Sequence, residues 1–164
     1  MKDLLQNLVQ TLRHELQQYG EMLARLDEQQ ELVMGRRSDE LLQSLSDIQS
    51  QCIAIQNARE VREQSQREIA REFGLSADTT LSDVLSYLPK DYRPLIQALI
   101  DENNELLVRV QQRSRQNHLL LARSLEMMQR LMDTLIPGSR TVYTEAGRVA
   151  VNGCAAPAFY EVVG

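Results

Sequence analysis

The chain has 164 residues, 43% hydrophobic and 25% charged, which is the balance of one folded domain rather than a disordered segment. Aromatic residues make up only 4% and Trp is absent, so the core must come from Leu, Ile, Val and Met, a set that favours helix-on-helix packing over a sheet sandwich. The formal net charge of -5 opposes nucleic acid and anionic membrane surfaces, no run reaches the ~20 apolar residues of a membrane span, and the start Met1-Lys2-Asp3-Leu4 lacks a signal peptide's apolar centre, so the expectation is a cytoplasmic protein without membrane insertion.

The first predicted element runs from about residue 2 to 34. Leu5, Leu12, Tyr19, Leu26 and Val33 form one seven-residue row and Val9, Leu16, Leu23 and Gln30 a companion, the seam of a coiled coil. A rod of that length, ~50 Å at 1.5 Å per residue, needs a partner along its side. Gly35 offers a helix stop, and Ser38 followed by Asp39 and Glu40 offers a new N-cap with acidic residues in the first turn, which predicts a tight reversal.

A second helix is predicted over about 39–73. Leu41, Leu45, Ile48, Cys52 and Ile55 read as its seam, after which Arg59, Arg62 and Gln66 stand where apolar residues are due, with Ala58 and Val61 offering a shifted stripe. An unpaired buried guanidinium costs several kcal/mol, so Arg62 is expected either to face solvent or to meet a carboxylate. If the second and third long helices meet near Phe73 and Ile96, that carboxylate is Glu102 or Glu105. Gly74 closes the helix. Thr80 with Asp83 three residues on caps a short helix over about 81–87, whose apolar side (Leu81, Val84, Leu85, Leu88) is expected to plug one end of a bundle before Pro89 stops it.

The last long helix is predicted over about 92–136, with Pro94 in its first turn, where a missing N-H costs little, and Pro137-Gly138 as its stop. Asn103, Ser114, Asn117 and Ser124 interrupt its apolar stripe. Beyond it, Thr141 to Thr144 and Arg148 to Val151 alternate like short strands around Glu145-Ala146-Gly147, and two isolated strands are marginal in water. The expected organisation is therefore all-α: an elongated antiparallel three-helix bundle or coiled coil over 1–137 with a short plug helix, and an irregular, mobile or docking tail over 138–164.

Little in this pattern points to catalysis, to a metal or to a cofactor, and none of the three is expected. His14 and His118 stand apart, no HExxH or CxxC occurs, and the seven glycines form no phosphate-cradling loop. Arginines 59, 62, 67 and 71 interleave with glutamates 60, 63, 68 and 72, the look of a solvated helix face rather than a nucleic-acid stripe. Cys52 and Cys154 are expected to be free thiols, Cys52 as a small core hydrophobe.

The end of the chain is the most specific part. It reads Asn117-His118-Leu119-Leu120-Leu121-Ala122-Arg123-Ser124-Leu125-Glu126, then Leu131 to Ile136, then Thr141-Val142-Tyr143-Thr144-Glu145-Ala146-Gly147-Arg148. In these residues, and in the order of a long helical hairpin, a break with Leu88-Pro89 and a last long helix, the chain resembles the FlgN family of flagellar export chaperones. Where that family commonly has Thr-Tyr, this chain places Val142 between Thr141 and Tyr143. The resemblance implies a cytoplasmic chaperone that keeps hook-filament junction (hook-associated) proteins soluble and delivers them to a component of the type III export gate.

The residues carry a compatible physical reading. Leu121, Leu125, Met128, Met132 and Leu135 have the spacing by which a helix presents anchors to an amphipathic partner, and methionines repack around different partners. The same five residues also read as bundle core. The tail is expected to dock through Tyr143, a large ring with one polar handle, on a bend at Gly147, the position of the family's Tyr-x-x-x-Gly. The competing reading is a structural homodimeric coiled coil whose exposed seams pair with a second copy and which has no client.

Overall fold

The computed structural model is described for residues 2–76 and 78–135. The predicted residues Tyr143 and Gly147, and the whole 138–164 tail, lie outside that range. Four helices carry the described chain: α1 (Lys2–Met34), α2 (Ser38–Glu72), α3 (Leu81–Leu85) and α4 (Arg93–Leu135), with no strand among the described residues. The fold is the all-α helical bundle expected from the composition. The described chain divides after Leu119 into two units, and α4 supplies residues to both.

The first unit is built on α1. Its row Leu5, Leu12, Tyr19 and Leu26 is buried as its spacing predicts, with Val33 half-buried at the end, but the second buried row is Leu8, Glu15, Met22 and Gln29; of the companion read from sequence Val9 is buried and Leu16, Leu23 and Gln30 are only half-buried. Helix α2 returns antiparallel along α1, since Asn7 bonds Ser65, Gln18 bonds Gln51 and Arg25 pairs with Asp47. Helix α4 runs parallel to α1: Asn103 reaches Leu12 and Asn117 reaches Leu26, fourteen residues further on in both helices.

The face that α2 turns inward differs from the predicted seam. Ser44, Gln51, Ala58 and Ser65 are buried at intervals of seven, together with Arg62, Ile69 and Ala70. Leu41, Ile48, Cys52 and Ile55 are half-buried on the flank, and Leu45 is 40% exposed. Small and amide side chains let two long helices approach closely, and Gln51 uses that proximity to donate Nε2 to both the backbone carbonyl (3.0 Å) and the side-chain oxygen (2.9 Å) of Gln18. Cys52 is neither a core hydrophobe nor a free thiol; it is disulfide-bonded, and Cys154 falls outside the described residues.

The apolar core gathers at one end. It takes Leu5, Leu8, Val9 and Leu12 from α1, Ile69 and Ala70 from α2, Val84, Leu85 and Leu88 from α3 and the turn after it, and Ile96 and Leu99 from α4. Helix α3 is the plug the sequence suggests, and Thr80 caps it by accepting the Asp83 N-H at 3.2 Å while donating its hydroxyl to the Asp83 carboxylate at 2.6 Å. Farther along α1 the interior is largely polar, with Glu15, Gln18, Gln29, Ser44, Gln51, Asn103 and Asn117 all buried.

Two helix ends use the same device with different residues. At the end of α2, Gly74 (φ 66°) lets Leu75 N-H reach the Ala70 carbonyl and its own N-H reach Arg71. At the end of α1 the left-handed position falls not on Gly35 but on Arg36 (φ 55°), with Arg37 N-H on the Leu32 carbonyl. Ser38 is the first helical residue of α2 rather than its cap; Arg37 takes the cap position without a side-chain hydrogen bond. Because a side chain strains the left-handed conformation, Arg36→Gly is expected to stabilise the chain by about 0.5 kcal/mol, part of the relief being lost to the freer unfolded chain. Urea denaturation checks it, and a loss of stability contradicts it.

Candidate functional site

The polar stretch of α2 has its partner on α1. Arg62 Nε lies 2.7 Å from Glu15 Oε2, Arg59 Nε lies 3.8 Å from Glu15 Oε1, and the Tyr19 hydroxyl donates to the same Oε1 at 3.0 Å. Arg62 donates to Gln66 Oε1 at 2.9 Å, and Gln66 passes the chain on through Nε2 to the Thr79 carbonyl at 2.8 Å, next to the cap of α3. The expected partners Glu102 and Glu105 do not take part: both are exposed on α4, while Glu15 projects from the buried row of α1. Each side chain in this line has a structural partner, and the arrangement ties α1, α2 and the plug together.

Catalytic convergence is lacking elsewhere among the described residues. His14 and His118 are both exposed, and no group of three or more His, Cys, Asp or Glu side chains is placed to hold a metal. An open depression of about 470 Å³ lies beside α3, lined by Ser82, Leu85, Ser86, Arg93, Pro94 and Gln97, but its one cation is committed: Arg93 donates to the Leu88 and Ser86 carbonyls at 2.7 and 2.8 Å. No described helix is long and apolar enough to cross a membrane.

What stands open is the end of α4, in the second unit. Of the five residues singled out from sequence, Leu121 is half-buried and Leu125, Met128, Met132 and Leu135 are exposed by 60%, 59%, 53% and 78%. Met127 and Leu131 are exposed beside them. At 100° per residue these seven side chains cover an arc of ~160°, wider than the ~100° stripe by which an ordinary surface helix packs on its own core. The opposite side carries Arg123, Glu126, Gln129, Arg130 and Asp133, with Arg130 paired to Glu126 one turn away. Four of the five are therefore surface residues, and Leu121 is half-buried. Sequence spacing marks the face but not whether it is covered, and it leaves out Met127 and Leu131, which belong to the same arc.

A broad exposed apolar face on a helix with a charged back is a surface made for another apolar surface. Comparison with known proteins agrees with a chain of this organisation: the family model described as FlgN protein matches residues 1–150. No curated protein and no solved structure matches the chain.

Proposed function

The chain belongs to the FlgN family, and from that membership we propose that it holds amphipathic helical segments of flagellar hook-associated proteins on the Leu/Met face of α4 and delivers them, in the cytoplasm, to the type III export gate. The general role, a chaperone of flagellar assembly, comes with the family. The choice of site rests on one observation: Leu125, Met128, Met132 and Leu135 are all more than half exposed on one helix. Leaving that much apolar surface in water is costly unless something else covers it, and flexible methionines suit a face that accepts more than one sequence.

The tail is assigned the second half of the task. Tyr143, with Gly147 four residues on, is proposed as the anchor by which the 138–164 segment docks on the client or on the gate. The measurement uses the full chain, Tyr143→Ala and a deletion after Gly138, titrated against a synthetic C-terminal helical segment of a hook-associated protein and, separately, against the cytoplasmic part of the gate. Wild-type binding to the client peptide with an affinity in the micromolar range or better is expected, with at least a tenfold loss for one of the two ligands in both tail variants. Unchanged affinity for both ligands at unchanged helicity removes the tail from the mechanism. The competing homodimer has its own signature: a sedimentation mass of two chains that adding client peptide does not alter.

A further inference from the structure

Helix α4 presents more than one apolar side to the rest of its bundle. Leu99 and Leu106 line one flank, Ile100 and Leu107 the other, and all four are buried or half-buried. Hydrophobic burial alone gives such a helix little reason to prefer one rotation about its axis over another. Between the two flanks runs the row Ile96, Asn103, Val110 and Asn117, and the two asparagines on it are buried to 7% and 1% exposure, tighter than the valine between them.

Both amides make the same bond. Asn103 Nδ2 donates to the Leu12 carbonyl at 3.1 Å and Asn117 Nδ2 to the Leu26 carbonyl at 2.7 Å, so two hooks fourteen residues apart catch two main-chain acceptors of α1 fourteen residues apart. Each hook has one further contact, Asn103 with the Leu99 carbonyl at 2.8 Å and Asn117 with Gln29 Oε1 at 3.0 Å. Each also has a cost: Oδ1 of Asn103 and of Asn117 is buried with no hydrogen-bond partner among the described residues. An amide placed in an apolar seam at such a cost specifies an arrangement more than it stabilises one.

We propose that Asn103 and Asn117 are orientation pins, which fix the rotation and axial register of α4 against α1 and are retained at the expense of stability. Main-chain carbonyls are well suited to this use because their positions are set by the α1 helix itself and do not depend on a side-chain rotamer. The proposal is independent of what the protein binds. It predicts that apolar residues at the two positions give a chain at least as stable but less singly folded.

The test is Asn103→Leu with Asn117→Leu in the full chain, followed by thermal unfolding and by backbone amide correlation spectra of the isotopically labelled protein. The expected result is a melting temperature unchanged or raised by about 2–4 °C, with α4 amide resonances that split into several sets or broaden. A lowered melting temperature with single resonances makes the amides ordinary stabilising contacts and overturns the proposal, as does a raised one with single resonances. Should the leucines be too large for the seam and the chain fail to fold, Asn103→Ala with Asn117→Ala removes the hooks without adding volume. There, multiple α4 sets support the pins and a single set overturns them, whatever the melting temperature.

Discussion

Glu15→Ala is expected to destabilise the chain by about 3 kcal/mol, toward the low end of what removing one partner of a buried ion pair costs. Glu15 is 4% exposed and is the carboxylate that Arg59 and Arg62 meet on α1; without it Arg62 keeps Gln66 and a looser approach to Glu63 at 3.6 Å. The Tyr19 hydroxyl loses its acceptor at the same time. Replacing both ends, Glu15→Leu with Arg62→Met, is expected to recover most but not all of the loss, because the desolvated charges go while Tyr19, Gln66 and Arg59 remain to be accommodated. Urea unfolding of the two variants beside the native chain measures this. A loss below 1 kcal/mol for Glu15→Ala is the behaviour of a surface pair and means that water reaches the cluster.

The second large effect is on binding. Met128→Asp with Met132→Asp puts two charges into the middle of the exposed face and is expected to weaken the client peptide by about 100-fold, the loss of two anchors worth roughly 1–2 kcal/mol each. Both side chains are more than half exposed, so the fold loses only what aspartate costs in a helix interior, about 1 kcal/mol for the pair. Isothermal titration together with a melt separates the two quantities. If the affinity is unchanged, this face does not hold the client. If the melting temperature collapses instead, the face packs against the protein itself.

The sequence made the helices and the plug legible because their signals are local: seven-residue rows, Gly74 in a left-handed stop, and Thr80 three residues before Asp83. It misdirected the facing of α2 for a physical reason. Periodicity is read from large apolar letters, whereas the row that meets α1 is Ser44, Gln51, Ala58 and Ser65, chosen for small size and amide reach. The information was present as four small or amide residues at equal spacing. Likewise Glu15 stands on a row with Leu8, Met22 and Gln29, and a lone carboxylate there is the complement of Arg62, for which the sequence offers solvent or Glu102 or Glu105. At the end of α4 the pattern of Leu121 to Leu135 was fully visible, but apolar spacing is identical in a core helix and in a helix waiting for a partner. Only the surroundings tell them apart.

The placement of the apolar core also sets an order of events during synthesis. Its residues come from 5–12 at the start of the chain and from 69–99 much later, while the nascent chain leaves the ribosome from its N-terminus at about 5–20 residues per second. For several seconds α1 is outside with Leu5, Leu8, Val9 and Leu12 unmatched. As α2 follows, it can offer the amide of Gln51 and then the guanidinium of Arg62, so the first species held together is a hairpin joined by polar contacts. The greasy end closes only when Ile96 and Leu99 have emerged. A ribosome paused shortly before that point therefore displays an open hairpin with its N-terminal leucines uncovered, and a protease added to such arrested chains is expected to cut within 2–12 until the arrest site is moved beyond the length that frees Leu99.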